Sequence, residues 1–465
     1  MTFTSDFVLR ATGGRLVGSG FVARRVDKDS RVALDDTLYV ALAGDRFDGH
    51  DFVRQAREAG AVAALVDAAH ARSLSDPGYP LVVVEDTGRA LLDLAHAHLQ
   101  RMPARRVALT GSNGKTTTKE MIAAVCRASV GDERVLATQG NLNNLIGMPL
   151  TALAVGPDHA IAVLEMGMNH PGEIAAMAAA ARPQVGLITN IAPAHLEGLG
   201  NLEGVARAKG ELFAALGSDA VAVVHADDAN CLRMAEGCRA RQLRFGSAAG
   251  CEVRLRSSTP DEQGQTLVLE LAGVEHALHL SHEGAHNARN AAAAAAVGLA
   301  LEVPVAHIVE GLVRAPVVAG RLRMHRVRDA LIIDDTYNAN PASMKAAIDV
   351  AVQRARGHRL LLVLGEMREL GAFAGDLHAE LGAHAATAAP ARAWFCGAFA
   401  EDYRRGAQQG GLDPATITVA GDAGEIAAEV VANLAAGDVV LVKGSRGART
   451  ERVVQAMTGQ LDGVH

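Results

Sequence analysis

The stretch Val107-Ala-Leu-Thr-Gly111-Ser-Asn-Gly114-Lys115-Thr-Thr-Thr-Lys-Glu120 runs from an apolar segment into a polar glycine turn and then into a lysine-threonine segment. Gly111 and Gly114 allow the backbone to bend until consecutive N–H groups point inward. A helix that begins near Lys115 would add the positive end of its dipole to the same place. The stretch therefore predicts a strand, a phosphate-binding loop and a helix, which is an α/β arrangement.

The loop favours ATP or GTP binding with Mg²⁺. Lys115 would reach the β- and γ-phosphates, and Thr116 would offer its hydroxyl to the metal. The match to G-x-x-x-x-G-K-[ST] is incomplete, because Leu109 takes the first glycine position. The preceding strand and the following helix still favour nucleotide binding over a connecting turn. The loop residues expected to contact nucleotide are Gly111, Ser112, Asn113, Gly114, Lys115, Thr116 and Thr117.

Composition indicates the fold class and excludes some partners. A chain of 465 residues has room for roughly three domains. Hydrophobic residues make up 49% and aromatic residues only 3%, so the cores must be built from Ala, Val and Leu, as in α/β domains. The net charge of −7 predicts neither nucleic-acid binding nor attraction to an anionic membrane. We expect small basic clusters such as Arg105 and Arg106 to lie on solvated faces.

Cysteine use and hydropathy predict a soluble cytoplasmic protein. The five cysteines form no C-x-x-C pair, and the amino terminus shows no basic-then-apolar signal segment. The longest uncharged apolar run, residues 291–301, is too short to span a bilayer.

Alternating apolar and polar segments predict three α/β domains. Residues 1–84 hold short apolar runs and one helical stretch, which predicts a small α/β domain. In residues 85–315, apolar strands end in polar tips such as Glu165 and Asn190, and such tips bind ligands in open parallel sheets. After a linker at 316–320, residues 316–465 alternate strand and helix again and predict a second doubly wound unit.

Motifs along nearly the whole chain resemble the Mur ligase family. The segment Tyr337-Asn338-Ala-Asn340-Pro341 is typical of the family members that add a dipeptide, whereas other members carry a histidine-containing variant. The Asp-Asn-Pro-Arg motif of the diaminopimelate-adding member is missing from this sequence. The other matching segments are residues 38–52, 140–150, 164–173, 189–198, 208–211, 286–287, 320–321, 334–344, 364–371 and 442–446.

The resemblance implies an ATP-dependent amide ligase of peptidoglycan precursor synthesis. Such an enzyme joins the terminal carboxylate of a UDP-N-acetylmuramoyl-tripeptide to D-alanyl-D-alanine through an acyl phosphate. It implies a UDP-sugar-binding first domain, a P-loop ATPase-like central domain, and a Rossmann-like third domain that closes on ATP and binds the dipeptide. We expect a monomer.

The resemblance also implies roles for individual residues. Lys115, Glu165, His195 and Lys209 would be catalytic, and Thr116, Glu165, His195 and a carbamylated Lys209 would hold two Mg²⁺ ions. Asn287 and Asp335 would contact adenine and ribose, and Arg321 would bring a phosphate contact from the third domain. Residues expected to contact the substrates are Asp48, Asn143, Asn144, Asn338 and Asn340.

Plainer interpretations of these residues remain open from the sequence. Glu165 could be an exposed carboxylate, His195 a structural histidine, and Lys209 a surface lysine on a helix over 202–212. Asn and Asp also cluster in loops for backbone reasons. The histidines at 276, 279, 282 and 286 suggest zinc, but no cysteine is nearby, so we interpret them as a strand face followed by a nucleotide loop.

Other functions are also compatible with the loop. Another amino-acid-adding ligase of the same family, or a folylpolyglutamate synthase-like enzyme, would share these motifs. From a different class, the alternative is a P-loop GTPase or ATPase switch that binds partners. A GTPase would need an Asn-Lys-x-Asp guanine motif, which the sequence lacks, and a switch would hydrolyse nucleotide without a sugar-peptide acceptor. The G-x-G-x-x-A match at residues 18–23 is not followed by an amphipathic helix pattern, so we expect a turn there rather than a dinucleotide site.

Overall fold

The computed structural model of the protein describes residues 2–44, 47–74 and 78–459. Within them the chain forms three sheets with helices between and around them, together with one two-stranded pair. The α/β class and the predicted parallel sheets are confirmed. Asp45 and Arg46 of the 38–52 segment, and the last six residues of the third region, lie outside the described residues.

The first sheet has the strand order β2-β7-β6-β5-β4, and it is parallel except for β2. Strands β1 and β3 pair separately and antiparallel. The strands of this region are β1 (Phe3–Thr4), β2 (Arg15–Val17), β3 (Val22–Ala23), β4 (Arg25–Asp27), β5 (Thr37–Val40), β6 (Ala63–Asp67) and β7 (Leu81–Val84). The helices are α1 (Ser5–Thr12), α2 (Val53–Glu58) and α3 (Thr87–Leu99).

The central sheet has the order β16-β15-β14-β13-β12-β11-β8-β10-β9. Strands β8 to β14 run parallel, and β15 and β16 add an antiparallel edge. The strands are β8 (Arg105–Thr110), β9 (Val135–Ala137), β10 (Ile161–Glu165), β11 (Val185–Ile188), β12 (Val221–His225), β13 (Arg241–Gly246), β14 (Val253–Asp261), β15 (Gly264–Leu271) and β16 (Val274–Leu280). The helices are α4 (Lys115–Val130), α5 (Gly147–Leu153), α6 (Glu173–Ala181), α7 (Leu196–Leu199), α8 (Leu202–Ala214), α9 (Ala229–Ala235), α10 (Ala285–Ala300) and α11 (Val305–Arg314).

The third sheet has the order β17-β18-β22-β19-β20-β21 and is parallel except for β17. Its strands are β17 (Arg323–Val327), β18 (Ala330–Asp335), β19 (Leu360–Gly365), β20 (Arg392–Cys396), β21 (Ile417–Ala420) and β22 (Val439–Lys443). The helices are α12 (Pro341–Ala355), α13 (Ala374–Thr387), α14 (Ala400–Gln409), α15 (Ala423–Asn433) and α16 (Glu451–Thr458).

Buried apolar residues cover both faces of the central sheet. Along β8, Ala108 packs into one core, while Val107 and Leu109 pack into the core on the opposite face, as the alternation of a strand requires. The alanine run at residues 291–296 lies in α10 and is buried. Its small side chains let α10 pack closely in the same core as residues of the sheet and of α4.

The expectation that Arg105 and Arg106 lie on solvated faces is wrong. Arg106 is only 9% exposed and donates to the carbonyl oxygens of Leu99 and Arg182. Arg105 donates to the carbonyl of Leu301 at 2.9 Å, at the end of α10. Both guanidinium groups satisfy carbonyls at helix ends, a role that charge pattern alone does not reveal.

Two further expectations can be compared with the structure. Residues 18–20 form a bend without helix, as expected for a turn. His276 and His279 lie on β16, but His282 is buried beyond the strand and His286 lies in the first turn of α10.

Among the described residues, no helix is both long and apolar enough to cross a membrane.

Candidate functional site

The glycine turn between β8 and α4 is closely packed against its surroundings. A Cβ on Gly111 would lie 1.9 Å from Thr189 Oγ1, and one on Gly114 would lie 2.5 Å from Asn290 Oδ1. Gly114 also has a φ of 78°, in the left-handed region, immediately before Lys115 starts the helix. Only glycine fits both positions, so the turn holds the backbone conformation that the sequence predicted.

The tip of the neighbouring strand β11 holds the same turn. Thr189 Oγ1 donates to the Asn113 carbonyl at 2.6 Å, and the Asn113 N–H donates to Asn190 Oδ1 at 3.0 Å. Ser112 Oγ donates to the Ala192 carbonyl at 2.8 Å. The segment that follows strand β11 therefore holds the loop in place through these hydrogen bonds.

Lys115 folds back over the turn. Its Nζ donates to the Gly111 carbonyl at 2.8 Å. Burial lowers the pKa of Lys115, and the nearby Glu165 carboxylate opposes that shift. An amine that lies over the turn and donates to a backbone carbonyl can turn toward a phosphate.

Glu165 ends strand β10 and is 1% exposed, so it is not the exposed carboxylate of the plainer interpretation. Its Oε1 accepts from Asn143 Nδ2 at 2.7 Å and lies 3.4 Å from Thr116 Oγ1. Its Oε2 is buried and has no hydrogen-bond partner within the described part of the chain. A buried carboxylate oxygen without a partner beside a threonine hydroxyl is an oxygen donor set of the type that Mg²⁺ prefers.

Lys209 lies on α8 and is 0% exposed, so it is not a surface lysine. Its Nζ has no hydrogen-bond partner among residues 2–44, 47–74 and 78–459. Burial holds the pKa of Lys209 well below its ordinary value, and the charge on Lys115 lowers it further. A buried neutral amine is the form of lysine that reacts with CO₂.

His195 contacts a residue of the third region. Its Nδ1 lies 2.5 Å from Glu369 Oε2, in a short contact between the two side chains. The hydrogen bond from His195 lowers the pKa of Glu369, although burial opposes the shift. The imidazole is mostly buried, with 20% of its side chain exposed.

Two more polar contacts join the third region to the phosphate-binding loop. Asn340 Nδ2 donates to Asn113 Oδ1 at 2.6 Å, and Arg321 Nη2 lies 3.4 Å from Thr116 Oγ1. The Arg321 guanidinium also lies over the ring of Tyr337, 4.2 Å from its centroid. These contacts describe an arrangement in which the third region is closed over the loop.

Asp335 and Asn287 are buried at the same cleft. Lys443 Nζ donates to Asp335 Oδ2 at 2.6 Å and to the Asn338 carbonyl at 2.9 Å. Burial lowers the pKa of Lys443, and the Asp335 carboxylate opposes that change. Asn287 Nδ2 donates to the Glu283 carbonyl at 2.8 Å, which fixes the orientation of its amide.

The structure brings most of the predicted site residues to one cleft of about 1270 Å³. Three predicted residues do not line it. Gly111 lies beneath the loop surface and Lys209 is enclosed within the protein. Asp48 lies in the first region, where it accepts from the His50 N–H at 2.9 Å. The predicted residues that line the cleft are Ser112, Asn113, Gly114, Lys115, Thr116, Thr117, Asn143, Asn144, Glu165, His195, Asn287, Arg321, Asp335, Asn338 and Asn340.

Sequence reasoning did not assign roles to Glu369, Lys443 and Tyr337, which contact four of the predicted residues, His195, Asp335, Asn338 and Arg321. Lys443 ends strand β22 after a run of apolar residues, so the strand-tip argument used for Glu165 applies to it as well. Glu369 lies in an irregular loop, where no periodic pattern indicates it.

Family models match three segments of the chain. They describe a Mur ligase family catalytic domain over residues 25–100, a Mur ligase middle domain over 109–298, and a Mur ligase glutamate ligase domain over 320–446. The chain is also 37% identical to the UDP-N-acetylmuramoyl-tripeptide–D-alanyl-D-alanine ligase of Escherichia coli K12, with 96% of each chain covered. The chain belongs to the Mur ligase family.

Solved structures of Mur ligases share the fold of the whole chain. MurF from Acinetobacter baumannii superimposes with a TM-score of 0.87 at 30% identity, with 99% of both chains covered. A MurF ligase from Thermotoga maritima in complex with ADP gives a TM-score of 0.80 at 28% identity and covers 94% of this chain and 98% of that one. The three-domain α/β architecture expected of a Mur ligase is thereby confirmed.

Proposed function

We propose that this Mur ligase uses ATP to join the terminal carboxylate of a UDP-N-acetylmuramoyl-tripeptide to the amine of D-alanyl-D-alanine. The observation that supports this most is the cleft itself, in which a phosphate-binding loop of the second region meets Arg321 and Asn340 of the third. The substrate assignment is supported by the name of the E. coli relative, which matches 96% of this chain.

The reaction requires activation, because a carboxylate is a poor electrophile. The tripeptide carboxylate attacks the γ-phosphorus of ATP, so that ADP leaves and an acyl phosphate forms. The dipeptide amine then attacks the acyl carbon and displaces inorganic phosphate. Both steps concentrate negative charge, so positioning and electrostatics dominate the catalysis. Lys115 and Arg321 would place positive charge at the phosphates, and the N–H groups of the loop would orient them.

We propose that Thr116, Glu165, His195 and Lys209 hold Mg²⁺, with Lys209 as a carbamate. When bound, the metal neutralises phosphate charge. The Glu165 Oε2 atom and the buried amine of Lys209 support this assignment, because neither has a hydrogen-bond partner among the described residues. Carbamylation would turn a repelling amine into an oxygen donor.

The remaining predicted residues keep their roles as proposals. Asn287 and Asp335 would contact the adenosine, Asn143 and Asn144 the tripeptide, and Asn338 and Asn340 the dipeptide. Asp48 would contact the UDP-sugar in the first region, which agrees with its position away from the phosphate-binding loop.

We also propose the domain division 1–84, 85–315 and 316–465, a monomeric state, and a cytoplasmic location. ATP and a UDP-linked precursor are cytoplasmic substrates, and none of the five cysteines is paired, which supports that location. All strands of the first sheet lie within residues 1–84, and all strands of the third sheet lie within residues 316–465, which supports the proposed division.

Phosphate release tests the proposal. With ATP and UDP-N-acetylmuramoyl-tripeptide, we expect turnover with D-alanyl-D-alanine and much less with D-alanine, lysine, diaminopimelate or glutamate. Lys115→Ala should abolish turnover while circular dichroism stays unchanged, whereas Lys28→Ala, on the exposed surface, should not affect it. Preference for a single amino acid would contradict the acceptor assignment, and near-normal turnover of Lys115→Ala would contradict the role of the loop.

A further inference from the structure

The contact between His195 and Glu369 joins two separate regions of the chain. His195 precedes α7 beside the central sheet, and Glu369 lies in the loop between β19 and α13 of the third sheet. A carboxylate oxygen carries no proton at neutral pH, so a nitrogen 2.5 Å away is attractive only if the proton is on the nitrogen. The contact therefore requires His195 to be protonated at Nδ1.

The backbone reinforces this contact at a second point. The Glu197 N–H donates to the Glu369 carbonyl at 3.2 Å, and a Cβ on Gly371 would lie 3.4 Å from Glu197 Cα. His195 and Glu369 both have positive φ values, 54° and 64°, which side chains other than glycine rarely adopt. Such backbone conformations persist where the surroundings hold them and are concentrated at functional sites.

Stability does not account for the pair. The Glu369 side chain is 49% exposed, and exposed ion pairs contribute little to folding. The pair instead determines the protonation pattern of the imidazole ring: with the proton on Nδ1, beside the Glu369 carboxylate, Nε2 is the nitrogen with a free lone pair. A metal-binding histidine commonly gives its other N–H to a carboxylate in this way.

We propose that Glu369 is a positioning residue that fixes the tautomer and orientation of His195, and that it can do so only when the third region is closed over the second. The inference rests on the proposed function, in which His195 is a metal ligand. Closure of the third region would then complete the histidine part of the metal site at the same time as it brings Arg321 to the loop.

The test compares Glu369→Ala and Glu369→Gln with wild type and with Glu197→Gln. Glu197 is exposed and near the same histidine, so its variant removes one negative charge without touching the contact made by the Glu369 side chain. The protein is labelled with ¹⁵N-histidine and saturated with ADP. The ring signals of His195, one of 18 histidines, are assigned by their loss in His195→Gln.

Two quantities are measured: the tautomer of His195 from the ¹⁵N shifts, and the affinity for Mn²⁺ from electron paramagnetic resonance. We expect wild type and Glu197→Gln to hold the Nδ1–H form. Glu369→Ala should populate both tautomers and bind Mn²⁺ about 10- to 100-fold more weakly. Glu369→Gln, whose amide oxygen can still accept, should keep more of the wild-type tautomer and affinity.

An unchanged tautomer in Glu369→Ala would overturn the proposal, and so would an unchanged Mn²⁺ affinity. An equal loss of affinity in Glu197→Gln would also overturn it, because the effect would then be one of general charge. Neither the tautomer measurement nor the Mn²⁺ titration requires D-alanyl-D-alanine or catalytic turnover. A wild-type protein that keeps the tautomer but does not ligate D-alanyl-D-alanine would therefore contradict the proposed function alone.

Discussion

Replacing Lys209 with methionine should stabilise the protein while it abolishes activity. The amine of Lys209 is fully buried and has no partner in the described part of the chain. Leaving a buried polar group unsatisfied costs about 1–3 kcal/mol. Methionine keeps a flexible apolar chain of similar length. Near pH 10, in buffer without metal, nucleotide or CO₂, Lys209→Met should therefore gain about 1–3 kcal/mol in the free energy of unfolding, and it should gain more at lower pH.

The gain in unfolding free energy caused by Lys209→Met should decrease as the pH rises. The pKa of Lys209 is lowered by burial and by Lys115, so the folded protein binds fewer protons at this site than the unfolded chain does. The stability of wild type therefore rises with pH, by about 1.4 kcal/mol per pH unit, until the unfolded value of about 10.4 is reached. The advantage of Lys209→Met should shrink toward alkaline pH.

A second buried lysine provides the matched control. Lys119 is 1% exposed, but its Nζ donates to the Thr138 carbonyl and pairs with Glu120 at 2.7 Å. Lys119→Met removes a donor that has partners, so it should destabilise the protein by about 1–3 kcal/mol. The same substitution at two buried lysines should thus have opposite effects.

Urea unfolding followed by circular dichroism, with hydrogen exchange of α8, measures both variants. Fluorescence is unsuitable, because the single tryptophan, Trp394, lies on β20 of the third sheet. A Lys209→Met protein that is less stable than wild type, with faster exchange in α8, would refute the reasoning that this amine lacks a partner.

Three further variants follow from buried contacts. Arg354→Ala would leave the Glu283 carboxylate, which is 6% exposed, without the guanidinium that pairs with it. The free energy of unfolding in urea should fall by about 3–5 kcal/mol. Replacing both residues with apolar ones should recover most of that loss. Burial lowers the pKa of His282 to about 4, so protonation of this histidine favours the unfolded chain. The free energy of unfolding should therefore fall by about 3 kcal/mol between pH 6.5 and 4 because of this site. Acid unfolding of His282→Gln should lack that loss. Gly111→Ala would place a Cβ 1.9 Å from Thr189 Oγ1 and should weaken ATP binding measured by calorimetric titration. Adding Thr189→Ala to the same protein should restore part of the affinity. Unchanged ATP affinity in Gly111→Ala would contradict the close packing of the turn.

Local chemistry made much of the site predictable. A glycine turn between an apolar strand and a lysine-threonine helix start placed the helix at Lys115, and the structure starts α4 at that residue. Polar residues at the strand ends of the central sheet, such as Glu165 and Asn190, line one cleft because parallel strands end at one edge of a sheet.

Contacts between distant segments were not predictable in the same way. Lys443 meets Asp335 across 108 residues of chain, and Glu369 reaches His195 from a loop without periodicity. Hydrophobic patterns indicate which face of a helix or strand is buried, but they do not indicate which polar group a given side chain contacts. Arg105 was placed on a solvated face for the same reason, because its partner is a carbonyl at the far end of α10.

The transfer of oxygen from substrate to phosphate tests the central claim, ligation through an acyl phosphate, most directly. The terminal carboxylate of the UDP-N-acetylmuramoyl-tripeptide is labelled with heavy oxygen, and the phosphate released with ATP and D-alanyl-D-alanine is analysed by mass spectrometry. Attack of the carboxylate on the γ-phosphorus, followed by displacement by the amine, predicts one labelled oxygen in each phosphate and one left in the new amide. Unlabelled phosphate together with product, or ATP hydrolysis at the same rate without the dipeptide, would contradict the account.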